Sequence, residues 1–311
     1  MRKIVLIWLL LGITGPLVAQ KQLVITLDDL PFTRTYDPDI MRGMTDRLVQ
    51  CLAENQVPAI GFVNENKLYE KSILLPERVS LLQKWLSAGL ELGNHTFSHG
   101  DYNNMTTAAF IADIQKGETI SRPLSEASNR PYRFFRHPYL HRGNTPEKVV
   151  ALAAYLKNNG YTEAPVTIDN GEWIFAHAYH LRMQEKDYVA MQTIATDYIR
   201  YMEAKTLYFE EMGHKMFGRA IPQILLLHAN ALNADHMDSL LQMFTRLSYT
   251  FVRLEVALKD TVYLSEDTFS GRQGISWLHR WAKTANQPAA YFAGEPMVPR
   301  HILDWAGISE E

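Results

Sequence analysis

Two adjacent aspartates and two spaced histidines are the residues of this chain best suited to chemistry. Asp28 and Asp29 stand in TLDDLP, and His95 and His99 stand in GNHTFSH. One carboxylate and two imidazoles form a ligand set for a catalytic divalent metal with an open coordination position, and the second carboxylate is left as a base. Taken alone, the aspartates are also typical of a helix cap or turn, and the histidines of a hydrogen-bonded surface pair. Together they predict a metal site that turns a bound water into a nucleophile.

Short apolar runs rich in β-formers alternate with longer segments of helical period. The alternation favours a parallel sheet, and about seven such units predict a closed or nearly closed barrel with an α/β fold. The predicted strands are 23–27, 59–63, 90–93, 134–136, 165–168, 223–228 and 250–253. The predicted helices are 39–54, 77–88, 106–124, 145–159 and 236–247.

Polar residues stand at the ends of five of the predicted strands. In barrels the functional groups stand at the C-terminal ends of the strands. A common site at one rim is therefore expected to include the residues at these ends, which are Asp28 and Asp29, His95, Arg136, Asp169 and His228.

Two segments depart from the alternation. Residues 174–221 keep helical spacing, with Gly213 as a possible stop, and predict one long helix or a broken pair inserted before the sixth strand. Packing against the barrel wall is the plainer interpretation of this insertion, and a substrate-facing lid is the alternative. Residues 261–311 are predicted to form a C-terminal extension with an aromatic helix and a proline-containing tail, and the sequence assigns them no chemistry.

Residues 1–19 have the pattern of a secretory signal peptide. Arg2 and Lys3 give a positive start, an apolar run too short to span a bilayer follows, and small residues mark a boundary near Ala19. An uncleaved anchor is the alternative interpretation. Cleavage predicts a secreted or periplasmic protein with no stable membrane anchor.

The charge balance disfavours several classes of partner. The chain has 31 basic and 34 acidic side chains, and removing Arg2 and Lys3 leaves 29 against 34, a net charge near −5. Without a run of lysine or arginine, nucleic acid and anionic membranes are poor candidate partners. The only cysteine, Cys51, has no disulfide partner and is expected to be a buried small hydrophobe. The oligomeric state stays open.

The motif series TLDDLP, NHTFSH, RHPY, DNGEW and LLLH resembles, in this order, the five motifs of the polysaccharide deacetylases, the NodB-homology group also called carbohydrate esterase family 4. The resemblance spans residues 23–258 and implies a deacetylase domain over 20–260 with a distorted (β/α) barrel. It implies that Asp29, His95 and His99 bind the metal while Asp28 is the general base. Zinc suits this ligand set, and cobalt, nickel, manganese or iron would also fit.

The later motifs imply the remaining roles. By resemblance, Arg136 holds the base in position and His228 is the general acid. Glu172 stands where the family has a second aspartate that tunes the catalytic histidine. The predicted substrate-binding residues are Tyr139, whose backbone N–H would help to hold the oxyanion, the carboxylates Asp169 and Glu172, and Trp173, which would form a wall of the acetyl pocket.

These roles predict a metal-dependent hydrolase that removes acetyl groups from an N-acetylated saccharide of the cell wall or another source. An O-acetyl esterase or an amidase on a non-sugar substrate would use the same groups and is the alternative. A catalytically silent carbohydrate-binding protein comes third, because a binding module needs neither a base nor an acid. Leu30 replaces the usual family glycine, and with the 174–221 insertion it indicates a small or unusual acyl substrate as a further alternative to an open polymer groove.

Overall fold

The computed structural model describes residues 20–35 and 37–311, so the predicted signal peptide lies outside the described residues. Among the described residues, no helix is long and apolar enough to cross a membrane. The strands are β1 (Lys21–Leu30), β2 (Ile60–Val63), β3 (Tyr69–Glu70), β4 (Ile73–Leu74), β5 (Glu91–Asn94), β6 (Phe134–Phe135), β7 (Thr162–Glu163), β8 (Gln223–His228) and β9 (Tyr249–Phe251). The helices are α1 (Pro38–Glu54), α2 (Pro76–Ser87), α3 (Thr107–Lys116), α4 (Ser121–Ala127), α5 (Pro146–Asn158), α6 (Glu172–Glu185), α7 (Tyr188–Phe217), α8 (Ala231–Arg246), α9 (Leu254–Ala257), α10 (Trp277–Thr284) and α11 (Arg300–Ala306).

Seven of the described strands form one parallel sheet. Its order is β7-β6-β5-β2-β1-β8, and β9 pairs with the start of β1, while β3 and β4 form a separate hairpin. Beyond β7 the chain reaches the opposite edge of the sheet, where the Ile168 N–H donates to the Ile224 carbonyl at 3.0 Å. Because residues 162–168 contact both β6 and β8, the sheet curls into a distorted (β/α) barrel, which confirms the predicted fold class.

The strand predicted at 165–168 is wrong in position. The regular strand is β7, and only Ile168 of the predicted stretch forms a ladder contact, with Leu225. Pro165 explains the interruption, since it has no N–H to donate and pairing with β6 ends at the Ala164 N–H. The helix predicted at 106–124 is also divided, into α3 and α4, and the chain between them packs against the loop that carries His95 and His99.

The insertion is a pair of helices, α6 and α7. The Asp187 side chain accepts a hydrogen bond from the Ala190 N–H at 3.0 Å and begins α7, and Gly218 ends it in the left-handed conformation at φ +69°. Gly213, the possible stop in the sequence, lies inside α7 and packs against Ile221. The break therefore falls at Lys186, which is left-handed at φ +59°.

The side chains of β1 alternate between two apolar clusters. Leu23, Ile25 and Leu27 pack under the surrounding helices, whereas Val24 belongs to a smaller cluster inside the barrel. Since side chains alternate across a strand, Asp28 shares the inward face with Val24. The rest of the inner cluster consists of Ile60, Phe62, Phe134, Ala164 and Ile224, with Leu254 and Ala257 of α9.

Replacing Gly93 by Ala is expected to lower the free energy of unfolding by about 1–3 kcal/mol, because the new methyl group overpacks the inside of the barrel. A Cβ at Gly93 would lie 2.5 Å from the Phe62 ring and 2.9 Å from the Phe134 carbonyl oxygen. Gly43 in α1 has only the end of Arg47 nearby, so Gly43→Ala should stabilise the protein by about 0.5–1 kcal/mol. Urea unfolding of both variants checks the contrast, and equal stabilities would contradict it.

Candidate metal centre and active site

The backbone at the end of β1 is irregular, and this gives Asp28 and Asp29 different orientations. The pairing of β1 with β2 shifts register between Leu27 and Leu30, and Asp29 takes the left-handed conformation at φ +69°. An unbroken strand would direct Asp29 away from the face that carries Asp28. The irregularity instead brings both carboxylates to the rim, where each approaches the histidines.

Asp29, His95 and His99 lie together as the sequence predicted. Asp29 Oδ1 is 3.9 Å from His95 Nε2 and 3.6 Å from His99 Nε2, and one ligand atom from each residue lies within 4.8 Å of the others. The His95 Nδ1 is 2.8 Å from the Arg136 carbonyl oxygen. Because a carbonyl only accepts, Nδ1 carries the proton and Nε2 presents its lone pair to the triad.

The triad fits a divalent ion. Asp29 Oδ1 is buried without a hydrogen-bond partner, so it needs a cation to satisfy it. Burial lowers the pKa values of His95 and His99, which keeps both imidazoles neutral at pH 7. Burial alone would raise the pKa of Asp29, but Lys67 and the two histidines lower it overall. Neutral imidazoles and an ionised carboxylate are the forms that bind metal.

Lys67 contacts the carboxylate of Asp29, and the sequence did not predict this contact. Its Nζ lies 3.3 Å from Asp29 Oδ2 and donates to the Asp29 backbone carbonyl at 3.2 Å. The residue follows β2, one of the two predicted strand ends to which the sequence assigned no polar group. Because Lys67 occupies Oδ2, it leaves Oδ1 for the ion.

Asp28 is buried beside Arg136. Asp28 Oδ2 lies 3.4 Å from Arg136 Nη1 and 3.7 Å from His95 Nε2, while Oδ1 is buried without a hydrogen-bond partner. Arg136 is itself fully buried, donates to Thr26 Oγ1 at 2.9 Å and lies over the Phe62 ring. Burial raises the pKa of Asp28 to about 6, although Arg136 opposes this effect. The carboxyl group is therefore mostly ionised at pH 7 and can accept a proton.

Glu172 contacts His228 on the side of the imidazole that faces away from the cavity. The His228 Nδ1 is 2.7 Å from Glu172 Oε2, and Asn233 donates to Glu172 Oε1 at 2.7 Å. Asn230 also donates to Glu172 Oε1. Burial would lower the pKa of His228, but the charge of Glu172 and the hydrogen bond to it raise that pKa to about 9. Glu172 thus contacts the histidine, and it does not line the cavity.

The rim residues surround a cavity of about 670 Å³. Tyr139 and Trp173 are 55% and 42% exposed and stand at its walls, and Asp169 lies deeper. Burial raises the pKa of Asp169 to about 6, and Lys205 counteracts this effect. The cavity is also lined by residues to which the sequence assigned no role, among them Lys205 on α7 and Gly274, Glu295 and Glu311 of the C-terminal extension.

Residues 17–162 match the family model described as polysaccharide deacetylase. The match covers a little under half of the chain, and over it the chain is similar to the polysaccharide deacetylase family. The motifs TLDDLP, NHTFSH and RHPY lie inside the match, and DNGEW and LLLH lie beyond it. A chitin deacetylase from Colletotrichum lindemuthianum is 28% identical over 116 residues. The alignment covers 37% of this chain and 41% of the relative, so it spans about two fifths of that relative's length.

Several solved structures of carbohydrate esterase family 4 are also similar to this chain. A family 4 carbohydrate esterase from Streptomyces lividans in complex with acetate is 17% identical, with a TM-score of 0.47 over 77% of this chain and 96% of that one. One from Bacillus anthracis is 17% identical, with a TM-score of 0.46 over 77% and 83%. A pseudoenzyme of the family from Bacillus anthracis is 14% identical, with a TM-score of 0.47 over 77% and 66%.

His95→Ala and His99→Ala should each weaken Zn²⁺ binding by more than about 100-fold, since even the partners of ligands change affinity by about 10- to 100-fold. The measurement is a competition titration against a chromophoric chelator. His141→Ala is the matched control, because His141 lines the cavity but bonds to Asp101 at 2.7 Å and stands outside the triad. Wild-type affinity in both triad variants would contradict the metal site.

Replacing Glu172 by Gln should lower the pKa of His228 from about 9, since the carboxylate that contributes most against the effect of burial is then absent. A larger fraction of His228 would be neutral at pH 7 in the variant than in the wild type. NMR titration of the imidazole carbons in metal-free protein measures the shift. Glu185→Gln, at the exposed end of α6, is the control, and a pKa near 9 in the Glu172 variant would count against this pairing.

Proposed function

We propose that this protein is a metal-dependent deacetylase that removes acetyl groups from an N-acetylated saccharide by means of activated water. The observation that carries the proposal is the arrangement around one cavity of the triad, the unpartnered Oδ1 of Asp28 and the protonated His228. A divalent ion in the triad would polarise the acetamido carbonyl and lower the pKa of water. Zinc suits two histidines and a carboxylate, and cobalt, nickel, manganese or iron also fit.

Asp28 is the general base in the proposed mechanism. Its free Oδ1 accepts the proton of the attacking water, and Arg136 holds the other oxygen so that the carboxylate faces the cavity. A pKa of about 6 leaves Asp28 ionised at pH 7 yet basic enough to take a proton. The Tyr139 backbone N–H would donate to the developing oxyanion.

His228 is the general acid. It would protonate the nitrogen of the leaving amine as acetate departs, and Glu172 keeps the proton on the imidazole at neutral pH. Trp173 and Leu226, which line the cavity, would enclose the acetyl methyl group. Asp169, deeper in the same cavity, is available to hydroxyl groups of the saccharide.

The protonated state of His228 favours N-deacetylation over the O-acetyl esterase alternative. An amine is a poor leaving group until its nitrogen gains a proton, whereas an alcohol leaves more readily. A histidine that keeps its proton up to about pH 9 suits the harder reaction. The retained Asp28 and His228 also count against a silent carbohydrate-binding protein. The signal peptide, and with it export to the periplasm or the medium, stays a prediction, as does the absence of a nucleic-acid partner.

Acetate release from N-acetylated and O-acetylated saccharides, with and without a chelator, tests the proposal. Asp28→Asn and His228→Ala should each lower turnover by at least about 100-fold while metal affinity stays unchanged, because neither residue belongs to the triad. His301→Ala, on the exposed face of α11, is the control. Full activity in both variants, or acetate release that no chelator affects, would refute the mechanism.

A further inference from the structure

One end of the cavity is built from charged side chains outside the family match. Lys205 on α7 is 3% exposed, and its Nζ lies 2.5 Å from Glu295 Oε1 and 3.8 Å from Glu311 Oε1. Tyr201, one turn earlier, donates its hydroxyl to Glu311 Oε1 at 2.9 Å. These contacts join the insertion to the C-terminal extension, and we name Lys205, Glu295 and Glu311 the end wall.

The extension packs directly on the loop that carries Tyr139. A Cβ at Gly274 would lie 1.7 Å from the Tyr139 carbonyl oxygen, so only glycine permits this approach. Tyr139 and Leu140 are both left-handed at φ +56°, a conformation that non-glycine residues keep only when their surroundings hold them. The extension therefore supports the backbone whose N–H the mechanism uses.

The extension also packs on the far side of the cavity. A Cβ at Gly171 would lie 2.5 Å from Val298 Cγ2 and 2.8 Å from Glu311 Oε1. At the start of α10, the Trp277 N–H donates to the carbonyl of Val166, in the segment that follows β7, at 2.7 Å. These contacts fix the end wall against the barrel rim.

The cavity between the triad and the end wall has the size of a small-molecule site, since such sites enclose about 300–1,000 Å³. A saccharide with its acetamido carbonyl at the triad and one end directed toward Lys205 meets the buried ammonium of Lys205 and the carboxylates of Glu295 and Glu311. The carboxylate oxygens accept hydrogen bonds and the ammonium donates them, so together they can bind sugar hydroxyls of either orientation.

We infer that the site accepts the terminal residue of a saccharide chain or a short oligosaccharide, whose hydroxyl groups bind to the end wall. An internal residue of a long polymer has chain on both sides of it, and the end wall obstructs one of those sides. The inference rests on the proposed function and adds the substrate class.

The test uses the metal-loaded enzyme and tetra-N-acetylchitotetraose, with the products sequenced by mass spectrometry. Deacetylation of one terminal residue should exceed that of the internal residues by at least about tenfold. Soluble acetylated chitosan polymer should release acetate more slowly per acetyl group. Equal deacetylation of internal residues, or faster release from the polymer, overturns the inference while leaving the deacetylase function intact. If acetylated saccharides release no acetate at all, the proposed function fails, and the inference fails with it.

Variants of the end wall separate substrate binding from a structural role. Lys205→Met should raise KM for the tetrasaccharide by about tenfold with little change in kcat, and Lys205→Arg should restore part of the affinity. Lys215→Met is the control, since Lys215 lies on the exposed face of the same helix. If Lys205→Met does not fold, Glu295→Gln carries the same measurement. An unchanged KM with unchanged product pattern in the folded variant refutes the end wall as a binding surface.

Discussion

The left-handed turn at Asp29 is the constraint on which the active site depends. A regular β1 would direct Asp28 and Asp29 to opposite faces, and only one of them would reach the histidines. At φ +69°, Asp29 occupies a region that costs a non-glycine residue about 1–3 kcal/mol. Lys67 offsets part of this cost by bonding to both the carbonyl and the carboxylate of Asp29. In the proposed mechanism the strained residue is the metal ligand, and its unstrained neighbour is the base.

Two buried ion pairs keep Asp28 ionised and His228 protonated, as the proposed base and acid require. Arg136 keeps Asp28 anionic at neutral pH despite its burial, and Glu172 keeps His228 protonated despite its burial. Buried charges are tolerated only when hydrogen bonds and partners satisfy them. Arg136 is satisfied by Thr26 and the Phe62 ring as well as by Asp28, and Glu172 by Asn233. Environments that shift two titratable groups in opposite directions are typical of acid–base catalysis.

The two halves of the chain contribute different parts of the site. The family match contains Asp28, Asp29, His95, His99 and Arg136, which lie at or just after strand ends of the first barrel units. The later half adds His228, Glu172 and the cavity wall formed by Trp173 and the end wall. This division accounts for a metal centre that resembles the family and a cavity that depends on the insertion and the extension of this chain.

Hydrophobic periodicity was enough to predict the barrel class, because it locates strands and parallel strands bring their C-terminal ends to one rim. Asp28, Asp29, His95 and His228 could be named for that reason, and His99 from its spacing to His95. The strand predicted at 165–168 was misplaced because Pro165 cannot donate a ladder hydrogen bond. The apolar residues that follow it nevertheless have the pattern of a buried strand. Tertiary structure alone decided the places of Lys67, Lys205, Glu295 and Glu311. Their contacts join segments far apart in the chain, and side-chain packing over such distances leaves no period or spacing in the sequence.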